Sequence, residues 1–298
     1  MTLYNQSDKN KRKTWFLFSS FLIFVMAVGY VFSLAFEEPA IVYIAVFISF
    51  LSAFISYWFS DKIVLSMSNA HELKIDDNRE LYRLVENLCI TTGSPLPKIY
   101  MIDDLAPNAF ATGRNPKNAV IAVTTGLLEK LDRSELEGVI AHELSHIKSY
   151  DILIATLTTI LVGMIVILSD IFVRWAFFRG GSKSSSKDGS KILIIIIAVI
   201  LSILAPIFAY LMQFAISRKR EFLADADGAL TTRYPEGLAR ALEKISQDDN
   251  QLRAVNKATA HLYIASPLKE KKKAFFAKAF MTHPPIEERI SALRGMEL

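Results

Sequence analysis

The sequence has a single cysteine, Cys89, among 298 residues. That excludes an internal disulfide framework and fits a reducing compartment. Charge is scarce too: 21% of residues are charged and 52% are hydrophobic, an apolar balance for a water-soluble protein. The net charge of +4 is mild and is accounted for by lysines and arginines beside apolar runs. No stretch interleaves aromatic and basic residues as a nucleic-acid surface would, so no nucleic-acid partner is expected. No repeat recurs at a period of about 20–50 residues.

What the chain has instead is long apolar runs. A polar start carries Lys9, Lys11, Arg12 and Lys13, and Thr14 to Phe36 then runs without a charge. About 20 apolar residues span a bilayer. The rival, a cleaved signal peptide, has a core of only about 7–15 residues. A second run, Ala40 to Ser60, follows after the turn Glu37-Glu38-Pro39. Basic residues before the first run and Lys62 after the second put both flanks in the cytoplasm by the positive-inside rule. A third run, Ile152 to Phe178, is broken only by Asp170 and Arg174. A Gly/Ser/Lys linker, 179–191, separates it from a fourth, Ile192 to Ile216, in which Pro206 predicts a kink. Two crossings would place that basic linker outside, against the same rule, and a hairpin that enters without crossing is the alternative.

Between the second and third runs the composition is that of a soluble domain. Asp76–Thr91 reads as a helix, Lys98–Ile102 and Ala119–Thr124 as strands, and Leu127–Leu131 as a short helix. Asp132-Arg133-Ser134-Glu135 then reads as a capping box opening a helix with an apolar stripe at Leu136, Val139, Ile140, Leu144 and Ile147. Beside that stripe lies His142-Glu143-Leu144-Ser145-His146. Histidines four apart share one helix face and can reach one metal ion. This is the H-E-x-x-H pattern of zinc peptidases, in which the ion acidifies a water to a pKa of roughly 7 and the glutamate takes its proton. His71-Glu72 repeats the His-Glu pair, but Ile75 stands where a second histidine is needed, and it reads as a solvated helix start.

Zinc held by two histidines still needs a third protein ligand and an open position. Just past the fourth run, Glu221 and Asp225 lie four apart on one predicted helix face. Glu221 is a candidate third ligand and Asp225 a candidate holder of a ligand histidine's far ring nitrogen. A solvated acidic face balancing Arg218 and Arg220 is the alternative. Ser149 and Ile152 occupy the positions where a metzincin has its glycine and third histidine, which favours a glutamate.

Two N-terminal spans, Asn108-Ala109-Phe110-Ala111-Thr112-Gly113, H-E-x-x-H, a second apolar pair and Arg220-Glu221-Phe222-Leu223-Ala224-Asp225 follow one another in this order. Over essentially the whole chain this resembles the HtpX membrane zinc metalloprotease family, related to the CAAX prenyl endopeptidases. The resemblance implies a mainly α integral membrane protein, with four apolar helices and a zincin-like α+β catalytic domain carrying a small β-sheet. It divides the chain into a tail with two spans (1–60), a first catalytic half (61–150), a transmembrane or re-entrant hairpin (151–216) and a second catalytic half (217–298). It implies one Zn2+ per chain on His142, His146 and Glu221, Glu143 as base, and Asp225 as their outer partner. It places Asn108, Phe110 and the neighbouring residues against substrate backbone, and His283 or Arg289 at the oxyanion. A substrate strand is expected to pair with Ala119–Thr124, at Ala122, read as the sheet edge. The resemblance also implies protein substrates, among them misfolded membrane proteins, a lipid bilayer as partner, and a multi-pass place in the bacterial inner membrane with the catalytic domain cytoplasmic.

Three other readings are weighed. A non-catalytic zinc-binding sensor would make Glu143 dispensable. A transporter would carry functional charges at mid-bilayer, where these runs have almost none. An intramembrane protease would bury its H-E-x-x-H within an apolar run.

Overall fold

The computed structural model describes residues 3–180, 196, 200, 218–250, 252, 259, 262–265 and 284–296. Nearly all of the fourth apolar run and of the 179–191 linker, with His261 and His283, lie outside the described residues.

The described chain forms two compact units. One comprises 12–58 and 157–215, the other 1–11, 59–156 and 216–298. The first contains most of α1 (Leu3–Phe36) and α2 (Ala40–Met67). Asp8–Leu34 and Ala40–Met67 are each long and apolar enough to cross a membrane. The two helices close on each other at Gly29, where a Cβ would stand 2.4 Å from that of Ala45. Trp15, Phe16, Tyr43 and Phe47 are largely exposed, as side chains facing lipid are. Two spans are therefore found among the described residues where four apolar helices were expected. The third run is helical.

The second unit is built on a four-stranded sheet. Its strands are β1 (His71–Glu72), β2 (Lys98–Ile102), β3 (Ala109–Gly113) and β4 (Ala119–Thr124), in the order β1-β2-β4-β3. His71 therefore starts no helix: it is an exposed strand residue opposite Met101. Between β1 and β2 runs α3 (Arg79–Thr92), which starts later than expected because the Asn78 side chain caps it by accepting from the Leu81 N–H. β4 runs parallel to β2 and antiparallel to β3. Successive side chains of a strand point to opposite faces. Ile121 and Val123 accordingly enter one apolar core with α3 and the helices beyond, and Val120 and Ala122 enter a second with Phe110, Tyr263, Val64 and Leu65.

The short α4 (Thr125–Lys130) leads into α5 (Arg133–Lys148) and α6 (Asp151–Gly180). Beyond the fourth apolar run come α7 (Arg218–Thr232), α8 (Pro235–Gln247) and α9 (Ile286–Arg294). α5 is the centre of this unit. It packs on β3, α7 and α8, and its buried face of Leu136, Val139, Ile140, Leu144 and Ile147 supplies much of the larger core.

Candidate metal centre

α5 begins as its sequence predicts. The Asp132 carboxylate accepts the Glu135 N–H, and the Glu135 carboxylate accepts the Asp132 N–H in return. The helix then carries His142 and His146 on one face, with ring centroids 4.7 Å apart and ring planes at 88°. His142 is 1% exposed, so neither a solvated histidine nor a surface helix describes this stretch.

Across the seam lies α7. A Cβ at Gly228 would stand 3.0 Å from the His142 backbone nitrogen, so only glycine lets α7 come this close to α5. The approach brings Glu221 to 3.6 Å from His146 Nε2 and 3.9 Å from His142 Nε2, while the two Nε2 atoms are 3.1 Å apart. Both far ring nitrogens face carboxylates: His142 Nδ1 lies 2.9 Å from Asp225 Oδ1, and His146 Nδ1 lies 3.3 Å from Asp151 Oδ2. A carboxylate at Nδ1 fixes the proton there and leaves the lone pair on Nε2. Two lone pairs and an acidic side chain thus converge on one buried point, an arrangement that calls for a cation.

The donor set fits zinc. Ligand atoms about 2.0–2.1 Å from a tetrahedral ion stand about 3.3 Å from one another. The separations here bracket that value, and the three donors lie within 4.8 Å of one another. Charge agrees. Burial pushes His142 below its usual pKa. Burial also opposes protonation of His146, but the Asp151 hydrogen bond and the charges of Glu221, Asp151 and Glu143 outweigh it and raise that pKa to about 9. Without a metal, a proton is drawn to the point where a cation would sit.

Glu143, 2% exposed, lines the same cleft, with Ala111, Arg220 and residues 262–264. Burial and the neighbouring Glu221 raise its pKa to about 7, while His146, Arg289 and the Ala111 N–H hold it from rising further. A carboxylate poised near neutrality can both take and return a proton.

Asp225 lies 2.9 Å from His142 Nδ1, and its own holder is Arg289. The guanidinium, fully buried, donates from Nε and Nη2 to the two Asp225 oxygens at 2.8 and 2.7 Å and from Nη1 to the Ile264 carbonyl at 2.8 Å. Arg289 also reaches the ligand atoms themselves, with Nη2 3.5 Å from His142 Nε2 and Nη1 3.7 Å from Glu221 Oε2. Sequence reasoning missed Asp151, the partner of His146. Its signal was the acidic residue opening an otherwise apolar run directly after the H-E-x-x-H helix.

The expected substrate contacts need correction. β4 is paired on both sides, so it is an interior strand, and the Ala122 backbone lies between Tyr100 and Phe110. The edge is β3. There Ala109 C=O accepts from the Ile264 N–H at 2.9 Å, and the Ala111 N–H is directed at Glu143. Alternate residues of an antiparallel strand face away from the partner, so Ala109, Ala111 and Gly113 carry the outward groups. Asn108 is spent on the chain itself: its amide donates to Ala265 C=O at 3.0 Å and its Oδ1 accepts the Ala109 N–H at 3.1 Å. The Phe110 side chain is fully buried, edge-on to Tyr263 with ring centroids 5.0 Å apart.

Comparison with known proteins agrees with this geometry. Residues 75–297 match the model of Peptidase family M48. A "Protease HtpX homolog" of Dictyoglomus turgidum is 45% identical over 99% of this chain and 95% of its own length. Another, from Tropheryma whipplei, is 48% identical over 82% of this chain and 81% of its own. The crystal structure of S. mikatae Ste24p superposes with a TM-score of 0.51 at 22% identity, covering 98% of this chain and 66% of that one, which supports the fold. The chain belongs to peptidase family M48 and is a membrane metalloprotease of the HtpX group.

Proposed function

We propose that the protein is a zinc-dependent endopeptidase of a bacterial inner membrane, cleaving misfolded or damaged membrane proteins at the cytoplasmic face. The observation that carries this reading is the convergence of His142 Nε2, His146 Nε2 and Glu221 on one buried point beside Glu143. His142, His146 and Glu221 would hold the ion. Zinc bound there supplies Lewis-acid polarisation of the scissile carbonyl and acidification of a water.

The chain's own residues do the rest. Glu143 takes a proton from the attacking water on its carboxylate and hands it to the leaving amine. Asp225 and Asp151 keep the ligand imidazoles in the Nδ1–H tautomer, and Arg289 keeps Asp225 ionised and oriented. Substrate backbone pairs with the outward groups left on β3, the Ala111 carbonyl and the Gly113 N–H. Main-chain pairing gives affinity with little sequence preference, which suits unfolded substrates. The basic residues Lys9, Lys11, Arg12, Lys13 and Lys62 support a cytoplasmic catalytic unit.

The test is zinc content of the purified wild type against Glu221→Ala, with a cleavage assay on an unfolded model substrate and a chelator control. Stoichiometric zinc in the wild type, lost together with cleavage in Glu221→Ala, is expected. Wild-type cleavage that survives chelation, or full zinc in Glu221→Ala, rules the reading out.

A further inference from the structure

The polar start that carries Lys9, Lys11, Arg12 and Lys13 belongs, as far as Lys11, to the same compact unit as the metal site, and one of its residues is buried there. Asn10 is 5% exposed. Its Nδ2 donates to the Ser149 carbonyl and to Asp151 Oδ1, both at 2.8 Å. Beside it the Lys11 ammonium lies 4.5 Å from the centre of the Tyr150 ring. The first turns of α1, as far as Lys11, are thus latched to the corner Ser149-Tyr150-Asp151 between α5 and α6.

That corner holds a ligand in place. Tyr150 has a φ of 60°, a left-handed conformation that a tyrosine adopts only at a cost. Asp151, 8% exposed, divides its two oxygens. Oδ2 faces His146 Nδ1 at 3.3 Å and accepts from Ser149 Oγ at 2.6 Å. Oδ1 accepts from Arg220 Nη1 at 2.9 Å and from Asn10. A carboxylate gripped on Oδ1 cannot rotate Oδ2 away from the histidine. Of the two grips, Arg220 comes from the helix of the third ligand, whereas Asn10 comes from the stretch ahead of the first span.

We infer that Asn10 is a positioning residue for the metal site, setting metal affinity through Asp151 and His146 and so tying retention of the ion to a docked N-terminal helix. The inference rests on the metal centre proposed above. Asn10 acts on the site through the Asp151 carboxylate, which it grips directly, and through the Ser149 carbonyl of the same corner. Asparagine suits the task because one amide nitrogen reaches the Ser149 carbonyl and the carboxylate together. An aspartate in its place would set a second negative charge against Asp151.

The experiment measures zinc affinity of the full-length protein in detergent by competition with a chromogenic chelator. The proteins are wild type, Asn10→Ala, Asn10→Asp, Asp151→Asn, the double variant Asn10→Ala/Asp151→Asn, and Lys9→Ala, an exposed neighbour, as control. Removing the outer partner of a ligand histidine weakens metal binding by about 10- to 100-fold. Asn10→Ala is expected near the lower end, about tenfold, and Asn10→Asp beyond it. Lys9→Ala is expected within about twofold of wild type, the scatter ordinarily found for an uncoupled surface change. In the double variant the Asn10→Ala loss should vanish, since coupled residues are not additive. Unchanged affinity in both Asn10 variants, an additive double variant, or an equal loss in Lys9→Ala overturns the inference. A wild type that binds no zinc overturns the metal centre itself, a different result.

Discussion

Replacing Gly228 by alanine puts a methyl group into the seam between α5 and α7. Its carbon would meet the His142 nitrogen at 3.0 Å, the His142 Cα at 3.3 Å and the Ala141 carbonyl carbon at 3.4 Å. All three are backbone atoms of the metal-binding helix, so no side chain can swing aside, and α7 must withdraw by a few tenths of an ångström. Overpacking of this kind costs about 1–3 kcal/mol. Against it stands the helix-forming advantage of alanine over glycine, about 1 kcal/mol. The expected net is a loss of about 0–2 kcal/mol, a fall of a few degrees in the unfolding midpoint. Metal binding should suffer more than stability. Asp225 lies three residues from the seam, and its 2.9 Å contact with His142 and its paired bonds from Arg289 depend on the spacing of the two helices. Zinc affinity is expected to fall about tenfold, as for loss of an outer partner. The assay is a thermal melt of the metal-free protein paired with chelator competition. A midpoint that rises by the full propensity gain, with unchanged zinc affinity, refutes the close approach and the geometry built on it.

Other outcomes follow from the same structure. Glu143→Gln should keep zinc and lose about 100- to 10,000-fold in turnover, read by metal analysis and cleavage of a model substrate. Arg289→Met leaves Asp225 buried without its cation, and breaking such a pair costs about 3–5 kcal/mol, measurable by denaturant unfolding. Cys89 is buried, and burial with the nearby Glu86 raises its pKa to about 11, so iodoacetamide at pH 8 should label it only after denaturation. The Asp132 carboxyl is held below its usual pKa by the Glu135 backbone and the Ser134 side chain, so its capping of α5 is complete above the ordinary aspartate range. That contribution is lost as the pH falls through its lowered folded value, and Asp132→Ala should remove the pH dependence along with about 1 kcal/mol.

What was legible in the sequence was local. The capping box, the four-residue histidine spacing and the apolar stripe of α5 each lie within a few turns of one helix, and each stands where expected. Glu221 and Asp225 were legible for the same reason, as an acidic pair one turn apart. Sheet order was not: that β4 is interior and β3 the edge depends on β2 pairing from the far side, which no periodicity encodes. The partners of the ligand histidines split along the same line. Asp225 could be paired with a histidine by reasoning from zinc chemistry. Asp151 required the left-handed turn at Tyr150, and the burial of Arg289 required α9 to return beneath α7. Asn108 misled because a motif shows which groups are available and not which the fold has already engaged.

The candidate ligands are split by the chain's own order. His142 and His146 leave the ribosome first, and Glu221 follows only after all of α6 and a further apolar stretch have been made. A nascent chain therefore cannot complete its metal cage until that stretch has been translated. On the proposed function, the peptidase is thereby kept idle until its second half has been made.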